Sequence, residues 1–180
     1  MAAKSPRFLL GCVLGLTLLT AGCGFQLRGT GVDSVDLDRL HLTTMRPDSV
    51  IYRETRQSLE SDGVTITASA PYHLQLLDER TERVAVSYTG RATAAEIELR
   101  SSLTFIISDS QGRPLVGPET LGTQRVYVND RNNVVGTNEE EALLQGEMQR
   151  DLTRQLLFRL SSLTESELSA REQALDRQMP

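Results

Sequence analysis

The stretch Thr93-Ala94-Ala95-Glu96-Ile97-Glu98-Leu99-Arg100-Ser101-Ser102-Leu103-Thr104-Phe105-Ile106-Ile107 decides the fold. Thr93, Ala95, Ile97, Leu99, Ser101, Leu103, Phe105 and Ile107 fall on one face of an extended chain. Ala94, Glu96, Glu98, Arg100, Ser102 and Thr104 fall on the other. Side chains of a strand alternate between its faces, so this pattern reads as one long strand with a single face on a core. Such a strand is not stable alone and needs both paired strands and an apolar cover.

The paired strands lie on either side of it. Upstream, residues 72–88 are a long strand candidate in which Leu74, Leu76, Val84, Val86 and Tyr88 share one parity. Asp78, Arg80 and Glu82 fall on that same face, so the strand either bends there or carries its middle beyond the cover. The charged section is then a bulged surface ribbon or a face turned to a partner, and both readings stay open. Tyr88-Thr89-Gly90-Arg91 reads as a tight hairpin connection. Downstream, Asp109-Ser110-Gln111-Gly112-Arg113-Pro114 is turn chemistry, and residues 120–128 complete a meander.

The cover comes from two amphipathic helices. Pro47-Asp48-Ser49 opens the first, with Ile51, Thr55 and Leu59 at intervals of four and Tyr52 widening the stripe. Asp62-Gly63 ends it, with Gly63 as the left-handed cap. A short strand at 39–43 precedes it and the extended Val64-Thr65-Ile66-Thr67 follows, an order that favours a right-handed crossover. Asn138 followed by Glu139, Glu140 and Glu141 reads as the capped start of the last helix. Leu144, Met148, Leu152, Leu156, Leu160 and Leu163 then recur at helical spacing, widened by Leu157. The expected fold is α+β, a two-layer sandwich of two helices on a four-stranded mixed sheet, spanning residues 35–164. Residues 165–180 are polar and read as a fraying tail.

The N-terminus carries a different kind of signal. Lys4 and Arg7 form a short basic region, residues 8–19 are apolar, and Leu19-Thr20-Ala21-Gly22-Cys23 is a lipobox. Residues 1–22 therefore read as a lipoprotein signal peptide and Cys23 as the lipidated first residue of the mature chain, with 23–34 as a tether. Leu9-Leu10-Gly11-Cys12 has the same local form, but it would leave almost no apolar region behind it. A transmembrane anchor is excluded by length, since residues 8–21 fall short of the ~20 apolar residues that span a bilayer. Two or three acyl chains on Cys23, palmitate among them, hold a protein permanently, where a single chain binds marginally. Gly24 in place of Asp directs such a lipoprotein to the outer membrane.

Removing residues 1–22 leaves 158 of the 180 residues, enough for one domain with one core. Cys23 is then the sole cysteine, so no internal disulfide forms. The mature chain carries 17 Arg and no Lys against 24 Asp plus Glu, a net acidic balance that argues against nucleic acid as a partner. The arginine usage suits an anionic ligand, but a GC-rich coding sequence yields the same composition. No G-x-S-x-G, P-loop, H-E-x-x-H or Cys/His metal spacing is present, so no enzyme, metal or cofactor is expected. His41 and His73 lie far apart in sequence, and His41 reads as a surface or edge residue.

The start Cys23-Gly24-Phe25-Gln26-Leu27-Arg28-Gly29, followed by strand, helix, meander and long C-terminal helix, resembles the LptE family of lipopolysaccharide-assembly lipoproteins. The resemblance covers nearly the whole mature chain. It implies a protein that plugs the lumen of the outer-membrane β-barrel LptD, assists its assembly and binds lipopolysaccharide on its way to the cell surface. It also implies basic contacts for lipopolysaccharide near the hairpin of the second and third strands and near the loop before the last helix. Arg91 fits the first place. At the second, Val135-Gly136-Thr137 offers no cation and Arg131 is the nearest. The competing expectation is a generic outer-membrane lipoprotein that scaffolds the envelope or binds peptidoglycan, which would not copurify with LptD.

Overall fold

The elements run β1 (Arg39–Thr44), α1 (Val50–Ser61), β2 (Thr65–Ile66), β3 (Tyr72–Tyr88), β4 (Ala94–Asp109), β5 (Pro114–Val128), α2 (Val134–Ser161) and α3 (Glu165–Gln178). A computed structural model describes residues 35–88, 90 and 94–178, so the expected signal peptide, the tether and Arg91 lie outside the described residues. The strands form one mixed sheet in the order β2-β1-β3-β4-β5. β1 is parallel to both β2 and β3, while β3, β4 and β5 form the antiparallel meander. The architecture is the mixed α+β one expected, with one more strand and one more helix.

The extra strand is the short extended run after α1. The Thr65 N–H donates to Asp38 O at 2.9 Å and the Thr67 N–H to Leu40 O at 3.1 Å, which pairs two residues on the outer side of β1. The extra helix corrects the reading of 165–180 as a fraying tail. Leu168 and Leu175 are too few for an apolar stripe to show in sequence, yet Leu168 is fully buried in the main core and Leu175 packs against it. Arg171 Nη1 donates to Leu115 O at 3.1 Å and Arg113 Nη1 to Asp176 Oδ1 at 2.6 Å, fastening the helix to the start of β5.

β4 carries its core face as the alternation predicts, with Ile97, Leu99, Ser101, Leu103, Phe105 and Ile107 all buried. α1 buries Ile51, Thr55 and Leu59, and its cap Ser49 accepts from the Tyr52 N–H at 3.0 Å. Gly63, at φ +93°, leaves the helix in the left-handed conformation that favours glycine. Against the same sheet face, α2 buries Met148, Leu152, Leu156, Leu157 and Leu160. Burying each such side chain contributes roughly 1.5–3 kcal/mol.

Two boundaries differ from the sequence reading. β5 starts at Pro114 rather than 120, because the Asp109 carboxylate closes the turn earlier: Oδ1 accepts from the N–H groups of Gln111 (2.9 Å) and Arg113 (2.8 Å). α2 starts at Val134 with Asn133 as its cap, accepting from the Gly136 N–H at 3.2 Å. Asn138 and the three glutamates are therefore inside the helix. Thr137 decides this, since its buried hydroxyl accepts from the Asp130 N–H and donates to the Asp130 carbonyl, each at 3.2 Å. Of the two courses the sequence leaves open for β3, the strand takes the bend, through a bulge at Leu77 between the pairs Leu76↔Phe105 and Asp78↔Thr104. It exchanges the two faces, so Glu79, Thr81, Arg83 and Ala85 follow Leu76 on the helix side while Asp78, Arg80, Glu82 and Val84 face away.

That exchange divides the core. The main cluster holds Leu74, Leu76, Leu103, Phe105, Ile107, Leu152, Leu156 and Leu160 with residues from β1 and α1. A smaller one holds Ile97, Leu99, Tyr127 and Met148, with Ala85 and Leu144 against it. Between them lies a rung of hydroxyls, Thr81, Ser101 and Thr123. Thr81 and Ser101 are bonded at 2.9 Å, and Thr123 donates to Asp151 of α2 at 2.9 Å. On the outer edge of the sheet, Gln155 Nε2 donates to Gly122 O at 3.4 Å and Arg125 Nη1 to Gln124 O at 2.8 Å.

Candidate functional site at the hairpin end of the sheet

Tyr88 pairs with Ala94 at the base of the β3–β4 hairpin, and Val128 pairs with Glu96 alongside. The Asn129 N–H donates to Ala95 O at 2.8 Å, which brings the turn before α2 beside that hairpin. The turn is tied internally: Asp130 Oδ1 accepts from the Asn132 N–H at 2.8 Å and Asp130 O from the Asn133 N–H at 3.1 Å. The two loci proposed for lipopolysaccharide contact, distant in sequence, thus share one end of the molecule. Arg131 sits on the turn, exposed, and makes no hydrogen bond or ion pair with any described residue. Arg91 and Cys23 lie outside the described residues.

The same end exposes apolar side chains. Val86, Tyr88, Val126, Val128, Val134 and Val135 are between 47% and 70% exposed, although each sits in a regular element where it could have been turned inward or replaced. Single exposed apolar residues need no explanation, but a gathered set marks a contact surface. The sequence reading misses it, because Val135 falls in the loop expected before the last helix and the valines of β5 lie in an ordinary strand.

Beneath this surface, one carboxylate joins three elements. Arg83 Nη2 of β3 donates to the Tyr127 hydroxyl at 2.8 Å and lies 3.1 Å from Glu141 Oε2. The Tyr127 hydroxyl of β5 donates to Glu141 Oε2 at 2.6 Å, and Gln145 Nε2 to Glu141 Oε1 at 3.0 Å. Burial pushes the Tyr127 phenol above its ordinary value, and the bond to Glu141 pushes it further while Arg83 opposes. Glu141, expected as a capping residue, is instead the tie between α2 and the sheet.

Elsewhere, parallel pairing of β1 and β3 brings His41 and His73 together, with ring centroids 4.3 Å apart and planes at 19°. The Thr43 hydroxyl lies 2.6 Å from His73 Nε2. Burial, and next the His41 ring, holds His73 below the usual histidine range. Among the described residues no group of three or more His, Cys, Asp or Glu could hold a metal ion, and no helix is long and apolar enough to cross a membrane. On the sheet face away from the helices, a depression of about 460 Å³ is lined by Arg80, Glu82, Arg100, Ser102, Gly122 and Gln124.

A family model described as LptE, lipopolysaccharide-assembly, matches residues 37–160, from the buried Leu37 to the last core leucine of α2. The chain belongs to the LptE family. It is 30% identical over 178 residues to the LPS-assembly lipoprotein LptE of Photorhabdus laumondii, covering 94% of this chain and 95% of that protein. To the protein of the same name from Yersinia pestis it is 28% identical over 167 residues, covering 89% and 79%. Among solved structures, a minor lipoprotein from Acinetobacter baumannii is similar at TM-score 0.59 and 28% identity, over 70% of this chain and 92% of that one. Lipoprotein B from Nitrosomonas europaea shares the fold at TM-score 0.67 and 19% identity, over 82% and 96%. The LptE match stops short of α3, whose packing on β5 lies beyond it.

Proposed function

We propose that this chain is a non-catalytic outer-membrane lipoprotein, anchored through acyl chains on Cys23, that plugs the LptD barrel, assists its assembly and binds lipopolysaccharide at the hairpin end of its sheet. The observation that carries the binding site is the gathering of exposed valines and Tyr88 at the same end as the exposed Arg131, which has no partner among the described residues. Lipid A offers acyl chains and phosphates side by side, and this end offers apolar surface and guanidinium side by side, with Arg91 as the second cation. Family membership and relatives named as LPS-assembly lipoproteins support the same reading. For the plug, the support is the uncovered face of β3–β5, where the exposed Asp78, Arg80, Glu82 and Arg100 give the polar surface that the lumen of a large barrel accepts.

Titration of the full chain with lipopolysaccharide tests the site. Charge-assisted contacts of this kind make Arg131→Glu and Arg91→Glu each weaken binding roughly tenfold or more. Unchanged affinity in both folded variants overturns it. Depletion of the protein in cells tests the plug: the barrel should misassemble and surface lipopolysaccharide fall. A fully folded barrel with normal surface lipopolysaccharide would leave a generic envelope scaffold in its place.

A further inference from the structure

We infer that Arg83, Tyr127 and Glu141 are positioning residues for the hairpin-end site, holding the base of the hairpin and the start of α2 at one fixed separation; this rests on the reading of that end as the binding site. Beyond the strand ladder, few side chains hold this end. The hydroxyl rung at Thr81, Ser101 and Thr123 separates it from the main core, and the apolar cluster above the rung has four buried members. The elements that carry the site are β3 and β4 through the hairpin, and β5 and α2 through the 129–133 turn. β3, β5 and α2 meet at Glu141 Oε2, which accepts from the Tyr127 hydroxyl at 2.6 Å and lies 3.1 Å from Arg83.

The geometry is closed as a triangle, since Arg83 also donates to the Tyr127 hydroxyl at 2.8 Å. The Glu141 side chain is 13% exposed, so water competes weakly for its oxygens, and Gln145 takes the other one at 3.0 Å. The Arg83 side chain is 56% exposed, so the bond between Tyr127, which is buried, and Glu141 carries most of the tie; being directional, unlike the apolar contacts around it, that bond can set a spacing. Within the turn, the Thr137–Asp130 and Asn133–Gly136 bonds pass that placement to Arg131. The clamp does not touch the ligand. It acts by keeping Arg131 and the valines converged, which lowers the ordering cost of binding.

The test uses Tyr127→Phe, which keeps the ring in its cluster, and Glu141→Gln, which keeps an acceptor but removes the charge. Hydrogen exchange on the full chain should quicken about tenfold in peptides from 84–99 and 125–140, with peptides from 103–107 and 152–160 unchanged. Lipopolysaccharide affinity should fall about five- to tenfold in both variants with little change in melting temperature. Unchanged exchange at the hairpin end overturns the inference, as does faster exchange with full affinity. If the unmodified chain binds no lipopolysaccharide, the site reading itself fails, a result distinct from either.

Discussion

Arg159 grips Glu119 through two parallel bonds, Nε to Oε2 at 2.9 Å and Nη2 to Oε1 at 2.8 Å. The fork joins the last turn of α2 to β5 beside Gly117. The hydrogen bond from Arg159 is the chief reason the Glu119 carboxyl lies below the usual carboxylate range. Asp151, held first by the Thr123 hydroxyl, is lowered as well. A carboxyl depressed in the folded state adds stability that is full above its unfolded pKa of about 4 and is lost as pH falls through the lower folded value. The melting temperature should therefore drop below about pH 4. Glu119→Gln should shrink that drop, and Arg159→Lys, which cannot fork, should cost up to about 1 kcal/mol at neutral pH. An acid limb of the same size in Glu119→Gln would show that the pair does not contribute.

Thr55 is buried in α1 and its hydroxyl finds no hydrogen-bond partner among the described residues. Valine has nearly the same shape without the polar atom. Thr55→Val should stabilise by about 1 kcal/mol, which for a domain of this size is a rise of roughly 2–4 °C in melting temperature. A fall on thermal denaturation would mean the hydroxyl is satisfied in solution.

Gly117 and Gly63 both have positive φ, at +89° and +93°. A Cβ on Gly63 meets nothing within 4 Å, whereas one on Gly117 would lie 2.8 Å from the Glu119 nitrogen and 2.9 Å from the Phe105 oxygen. Gly63→Ala should cost about 1–2 kcal/mol for its backbone conformation alone. Gly117→Ala should cost clearly more, since backbone atoms must move as well. Equal losses in denaturant titrations would refute the contrast.

Leu168 is fully buried although its helix is polar. Leu168→Ala should cost about 2–5 kcal/mol, and removal of residues 165–180 should cost at least as much, since Arg113 then loses Asp176 and the Leu115 carbonyl loses the Arg171 guanidinium. A chain ending at Thr164 with an unchanged melting temperature would return this segment to the status of a tail.

Leu152 is buried at the centre of α2, against the main cluster. Leu152→Asp places an unpaired carboxylate there, at a cost of several kcal/mol set against a total stability of ~5–15 kcal/mol. The expected outcome is an unfolded domain by circular dichroism, and a native spectrum would mean that the helix is not packed at that point.

The features legible in the sequence are those decided by period alone. Ile97 to Ile107 alternates because one face is covered throughout, and Ile51, Thr55 and Leu59 recur at four because α1 presents a single stripe. What stayed hidden was decided by contacts between distant residues. Asp78, Arg80 and Glu82 on the parity of Leu74 and Leu76 signal a bend in β3, but that the bulge sits at Leu77 and turns Val84 to the opposite face shows only in the pairing with β4. Asn133 and Asn138 are equally good caps, and the choice rests on Thr137 meeting Asp130 across the turn. Arg83, Tyr127 and Glu141 come from three elements, so no spacing announces their meeting. The exposed valines near the hairpin were visible as residues but not as a group, because only the sheet register gathers them.

The side chains that reach the carbonyls of Gly122, Gln124 and Leu115 have a consequence for the protein before it meets any partner. β5 borders the sheet for fifteen residues, and a strand of that length with free acceptors invites a strand from another chain to join it. Gln155, Arg125 and Arg171 occupy those acceptors from within the molecule. A newly folded copy crowded among others is thereby kept from lengthening its sheet with a neighbour.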